Sequence, residues 1–142
     1  SSLMSQILAY SLNQVAVRSS ALVHDYETFI EQTAFFRPTD LLIVFSFPPY
    51  SKETINVAKV AALKRVPVIA ITDRSTSPIT FHSVNVLPVR SQNMIFTNSF
   101  SAISVLINAI ATEVAVKNES KATKNIAELN ELLIAAGHYS EE

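Results

Sequence analysis

Within the stretch FSFPPYSKET, residues 45–54, the hydroxyls of Ser46, Tyr50, Ser51 and Thr54 fall close together in the chain. A hydroxyl donates to an anion without placing a buried charge beside it, so this grouping suits a phosphate. A helix beginning near Lys52 would add the unpaired amides of its first turn and the positive end of its dipole. Pro48 and Pro49 have no N–H, so the loop cannot form the continuous amide cradle of a glycine-rich phosphate loop. The chain has a single glycine, Gly137, which lies far from this stretch. An anion held here therefore depends on side-chain hydroxyls and the helix terminus. The same residues also read as plain architecture: Ser51 as an N-cap, Pro48 and Pro49 as a turn, and Ser46 as a strand-end serine bonded to backbone.

Side chains able to move a proton are few. Glu53 in the first helical turn, Asp73, His82, and His24 or Glu27 are the candidates for general acid–base work. Each has a structural alternative, since Glu53 favours the helix dipole, Asp73 caps a turn, and His24 and His82 fit the surface. No acid–base pair stands out, and His24 is kept as a ligand contact, not as a catalyst. Scattered histidines and the absence of cysteine offer no metal-ligand spacing, so no metal or cofactor is expected.

These side chains need elements to position them, and the periodicity supplies an alternating pattern. LMSQILAYSLNQ, residues 3–14, has helical spacing, and residues 15–23 offer a short extended segment. Asp25 can cap a second helix running to about Ala34, which Pro38 stops. DLLIVFS (40–46) and PVIAIT (67–72) are nearly continuous apolar runs of strand length, as expected for parallel strands buried on both faces. Between them, residues 51–65 place Ile55, Ala58 and Ala62 on one helical side. Together they form a βαβ unit of about 30 residues with an expected right-handed crossover. Residues 84–89 give a fourth strand candidate. Two long helices follow, roughly 98–117 and 120–136, the second capped by Ser120 and ended by Gly137.

The expected fold class is therefore α/β: an open parallel sheet in a three-layer αβα sandwich, with two long C-terminal helices. Ligands of such sheets gather outside the carboxyl ends of the strands, where the loops 46–51 and 73–78 (DRSTSP) lie.

Composition sets the remaining bounds. The chain of 142 residues has the length of one ordinary domain. It is 49% hydrophobic, with 11 basic against 12 acidic residues and no long run of either sign, so charge does not mark it as a binder of nucleic acid or membrane surfaces. The absence of cysteine fits a reducing cytoplasm. The apolar stretch 100–116 is broken by Ser101, Ser104, Asn108, Thr112 and Glu113, and reads as a buried helix of a soluble protein rather than a membrane span.

Residues 40–89, and above all SFPPYSKET and VIAITDRSTSP, resemble the second half of a sugar isomerase (SIS) domain. More narrowly, they resemble the C-terminal effector domain of RpiR-type bacterial transcriptional regulators. The resemblance extends over nearly the whole chain, taken as one domain, 1–142. Many SIS domains carry a loop Ser-x-Ser-Gly-x-Thr; Ser46 matches its first serine and Ser51 its threonine, while Pro48 and Pro49 replace the inner serine and glycine. The family begins with a central strand and a Gly-x-Gly-x-Ser turn. The resemblance implies that this strand precedes Ser1 and that Ser2 stands for the turn serine.

The resemblance implies a cytoplasmic, non-catalytic domain that binds a phosphorylated sugar or sugar acid and forms a homodimer or higher homo-oligomer. DNA would be read by a separate N-terminal helix-turn-helix domain. Ser46, Ser51, Ser2, Thr54, Tyr50 and His24 are the expected ligand contacts. A phosphosugar isomerase is the rival reading, since the same fold supports that chemistry. A dimerisation module without a ligand is the third, favoured by the apolar stripes Ile103, Leu106, Ile107, Ile110, Val114 and Ile126, Leu129, Leu133.

Overall fold

A computed structural model describes residues 2–92 and 99–137. In chain order these form helix α1 (Ser2–Gln14), helix α2 (Phe29–Gln32) with a 3-10 turn (Thr33–Phe35), and strand β1 (Leu42–Ser46). Helix α3 (Lys52–Leu63), strand β2 (Val68–Thr72), a second 3-10 turn (Pro78–His82) and strand β3 (Asn85–Pro88) follow. Helices α4 (Phe100–Lys117) and α5 (Glu119–Ala135) come last. The chain divides into two compact units, one of residues 1–5 and 21–104, the other of 6–20 and 105–142.

The first unit carries a parallel sheet in the order β1-β2-β3. The register pairs Leu42 with Val68 and Ser46 with Thr72, and Thr72 in turn with Pro88. Three strands thus end level, and the loops that follow them open on one edge. Helix α3 packs against β1 and β2, and the centre of its contact face is small: Ala58 and Ala61 are wholly buried. With Val44, Val66, Val68, Ala70 and Ile79 they form the core cluster, flanked by Phe36, Leu42, Ile55 and Val86. Alanine at these positions lets the helix lie close to the sheet, which brings its first turn to the carboxyl end of β1.

Two helices in this chain, α3 and α1, end without glycine. Arg65 takes a left-handed φ of 60° after α3, with Val66 N–H donating to Ala61 O at 2.9 Å and Arg65 N–H to Ala62 O at 3.0 Å. That is a Schellman closure, and its apolar contact is supplied by Ala61 and Val66, both in the core. In the second unit α1 ends the same way, with Ala16 at φ 66° and Val17 N–H donating to Leu12 O at 2.9 Å. Gly137, at φ 76°, follows α5 as the sequence predicts.

Four expectations are corrected. Residues 15–23 do not form a strand. The α1 closure turns the chain, and Asn13 then grips Ser19 at both backbone groups, donating to its carbonyl at 2.7 Å and accepting from its N–H at 2.8 Å. The second helix is capped by Thr28, not Asp25. Thr28 Oγ1 accepts from Glu31 N–H at 3.2 Å while the Glu31 carboxylate accepts from Thr28 N–H at 2.7 Å, a reciprocal capping box. The Thr28 amide, followed by its hydroxyl, holds the Glu31 carboxyl below its ordinary range. Helix α5 starts at Glu119 instead of Ser120, because the Asn118 carbonyl already accepts from Ala122 N–H at 2.8 Å.

The last correction concerns α4. It is long and apolar enough to cross a membrane by length and composition alone, but it is not the buried helix expected. Ile103 and Ile107 are buried, whereas Val105 and Val116 stand well exposed. Leu106, Ile110 and Val114 are only partly covered, and Phe100, Ala102 and Ala109 are exposed. In the second unit, the Asn125 side chain donates to the carbonyls of Asn13 and Gln14, satisfying the end of α1.

Candidate functional site

The β1–α3 loop, residues 47–51, walls a pocket of about 290 Å³. It is lined by Phe45, Ser46, Phe47, Pro48, Pro49, Ser51 and Thr54, with Met4 from the first turn of α1. Three of the six expected contacts, Ser46, Ser51 and Thr54, are thus brought together. Strand alternation and register explain the first of them. Ser46 closes an apolar strand, so it is drawn to 3% exposure with Val44 and Phe45, and its hydroxyl arrives at the strand mouth.

Ser46 Oγ is buried and has no hydrogen-bond partner among the described residues. A buried hydroxyl left unmated costs roughly 1–3 kcal/mol, so such atoms are few in native folds. Ser51 is the N-cap of α3, as the sequence predicts, and its Oγ accepts from Thr54 N–H at 3.4 Å. That bond is long, and the Ser51 hydroxyl keeps its own proton to donate. Ser51 and Thr54 on the pocket wall mark the start of α3, where first-turn amides lack intrahelical partners and the helix dipole is positive. Among the described residues no acidic side chain lines the pocket.

Replacement of Ser51 by alanine should cost stability at the lower end of the roughly 0.5–2 kcal/mol typical of a lost cap, since the capping bond is long. Chemical denaturation reads this as a lowered midpoint with an unchanged slope. A loss well above that range would show that Ser51 does more for the fold than cap α3.

The other three expected contacts lie elsewhere. Ser2 is the exposed first residue of α1 and does not line the pocket. Tyr50 turns away from it. Its hydroxyl donates to Asp73 Oδ1 at 2.6 Å and accepts from Arg74 Nε at 3.2 Å, with the guanidinium 5.9 Å from the ring centroid. Burial, and next the bond to Asp73, push the phenol above its ordinary value, so it stays a donor at neutral pH.

His24 sits 2.9 Å from Glu53 Oε2 and stacks on Phe29 with ring centroids 4.1 Å apart. The pair was not visible in the sequence because its members are far apart in the chain. Glu53 lies between the pocket-lining residues Ser51, the N-cap, and Thr54 of α3, yet neither it nor His24 lines the pocket. Among the described residues no three His, Asp or Glu side chains gather as a metal site would need.

Comparison with known proteins follows the geometry. The SIS domain family model matches residues 1–113. The sugar isomerase domain of an RpiR transcription factor from Sphaerobacter thermophilus superimposes with a TM-score of 0.86 at 27% identity, covering 92% of this chain and 73% of that one. Vibrio vulnificus NanR, solved in complex with ManNAc-6P, gives a TM-score of 0.79 at 19% identity over 95% of this chain and 52% of its own. The chain thus spans about half the length of NanR. A Methanococcus jannaschii protein inferred to be a 3-hexulose-6-phosphate isomerase gives 0.68 at 16% identity, over 87% of this chain and 70% of its own. No curated protein matches the chain.

Proposed function

Because the chain belongs to the SIS domain family, matched over residues 1–113, we propose that it senses a phosphorylated sugar as the effector domain of an RpiR-type regulator. The observation that carries this reading is the unmated hydroxyl of buried Ser46, beside the N-terminus of α3 and the Ser51 and Thr54 side chains. A phosphate placed there would meet hydroxyl donors and helix amides and, among the described residues, no carboxylate from the pocket wall. NanR, solved with ManNAc-6P, offers a ligand of the same class. Residues 1–142 would serve as one such domain, in the cytoplasm, with DNA read by a separate domain. The exposed apolar side chains Val105 and Val116 of α4 and Leu132 and Ile134 of α5 would serve a homodimer.

The test is a thermal-shift panel of phosphorylated hexoses, pentoses, amino sugars including ManNAc-6P, and sugar acids, against the plain sugars and inorganic phosphate. A ligand at 100 times its dissociation constant stabilises the fold by about 2.7 kcal/mol. A shift with one sugar phosphate, absent with its plain sugar and with phosphate alone, is the expected result. No shift across the panel would overturn the sensor reading.

A second reading has one observation in its favour: the His24–Glu53 pair is a carboxylate and an imidazole in hydrogen-bond contact at the start of α3. Such a pair suits the proton transfer between neighbouring carbons in aldose–ketose isomerisation. Incubating the stabilising compound with the chain separates the two readings. The sensor leaves the sugar phosphate unchanged, and an isomerase converts it at a rate that His24→Ala abolishes.

A further inference from the structure

The β1–α3 loop has neither glycine nor a full set of amides to stiffen it, yet it must present Pro49 and Ser51 on the pocket wall. Tyr50, the residue between them, points the other way and is fastened at its far end. Its hydroxyl donates to Asp73 Oδ1 at 2.6 Å, on the loop that follows the neighbouring strand. Asp73 is itself held, with Thr72 Oγ1 at 3.3 Å from the same oxygen and Arg74 Nε at 3.8 Å from Oδ2. Thr72 is anchored in turn, its Oγ1 lying in hydrogen-bond contact with the buried Ser77 Oγ at 2.8 Å, where Ser77 can donate while Thr72 gives its one proton to Asp73. The chain of bonds runs from the rigid end of β2 to the back of the pocket wall.

We propose that Tyr50 is a positioning residue, and that its clasp on Asp73 and Arg74 sets the placement of Pro49 and Ser51 and thereby the affinity of the pocket for a phosphorylated sugar. This rests on the sugar-phosphate reading of that pocket. The clasp takes over the work that backbone amides do in a glycine-rich loop: it fixes the geometry before the ligand arrives, so little ordering remains for binding. Arg74 completes it by closing over the Tyr50 ring while its side chain remains 62% exposed at the strand edge.

The experiment uses the full chain and Tyr50→Phe, which keeps the ring and removes the hydroxyl. Asp73→Ala, Asp73→Asn and the double variant Tyr50→Phe/Asp73→Ala accompany it. Affinity for ManNAc-6P, glucose 6-phosphate and inorganic phosphate is measured by calorimetry, and amide exchange over residues 51–54 by mass spectrometry. Tyr50→Phe and Asp73→Ala should each weaken sugar-phosphate binding about tenfold, with no further loss in the double variant. Asp73→Asn keeps an acceptor oxygen and should retain affinity within about threefold. Exchange at 51–54 should quicken in Tyr50→Phe while the rest of the chain is unchanged.

A merely structural tyrosine would lower thermal stability and leave affinity alone, and that outcome overturns the proposal. So do additive losses in the double variant. Should the parent chain bind none of the three probes, the sensor reading is what suffers; the clasp is then judged by exchange alone, and unaltered exchange at 51–54 in Tyr50→Phe overturns it.

Discussion

Ser46→Ala should raise the thermal stability of the unliganded chain and at the same time remove most of its affinity for a sugar phosphate. The two signs follow from one atom. Ser46 Oγ is buried without a partner among the described residues, so the fold carries the desolvation cost of an unbonded hydroxyl. Alanine deletes that oxygen and leaves the β carbon in place, so almost no packing is lost. The gain should be about 1 kcal/mol, the low end of the cost of an unmated polar group, or roughly 3 °C in melting temperature for a domain of this size. With ligand bound the hydroxyl donates to a charged acceptor, a bond worth about 1.5–3 kcal/mol, so its loss should weaken binding roughly tenfold to a hundredfold. Ser51→Ala separates cleanly from this, because it lowers stability through the lost cap. A fall in melting temperature for Ser46→Ala with unchanged affinity would mean that Oγ serves the fold, and would remove the observation on which the sensor reading rests.

Strands β1 and β2 were legible because they are largely buried. LIVFS and VIAIT are unbroken apolar runs, and a run of that length between turn signals has little choice of structure. Ser51 could be assigned as a cap for the same local reason, as could Gly137. The misreadings share a different cause. Residues 15–23 contain valines at strand-like spacing, but the Asn13 grip on Ser19 claims backbone that a ladder would need, and no propensity encodes that bracket. Thr28 and Glu31 form a Thr-x-x-Glu capping box, a local signal that was present and outweighed by the earlier Asp25. At the site, the three hydroxyls that converge come from one short stretch, so sequence proximity revealed them. Tyr50 lies in that stretch too, and its side chain nevertheless leaves for Asp73, 23 residues further on. Alternation along a loop with no regular period cannot be read, so which side of the wall each residue faces had to come from the structure.

The largest loss of stability should come from Ile79→Ala, a residue outside the pocket. Ile79 is wholly buried in the 3-10 turn Pro78–His82, where it packs into the cluster of Val44, Ala58, Ala61, Val66, Val68 and Ala70. Truncating a buried isoleucine costs about 2–5 kcal/mol, and the spread depends on how far the surroundings collapse into the space. Here they can collapse little. Three of the six cluster partners are alanines fixed to the backbone of α3 and β2, with no rotamers to swing into the gap, so the cost should fall in the upper half of that range. Against a typical total of about 5–15 kcal/mol this is a large fraction of the fold's stability. Denaturant titration should show a strongly reduced midpoint with an unchanged slope, and Ile79→Val should lose only about 0.5–1.5 kcal/mol. A loss below about 1 kcal/mol for Ile79→Ala would mean that the cluster relaxes freely and that the close seat of α3 on the sheet is not what fixes its N-terminus at the mouth of β1. If the loss is large, the same tight core that makes alanine costly here is what holds Ser51 and the first α3 amides level with Ser46. The pocket's geometry then rests on small residues beneath it as much as on the hydroxyls that line it.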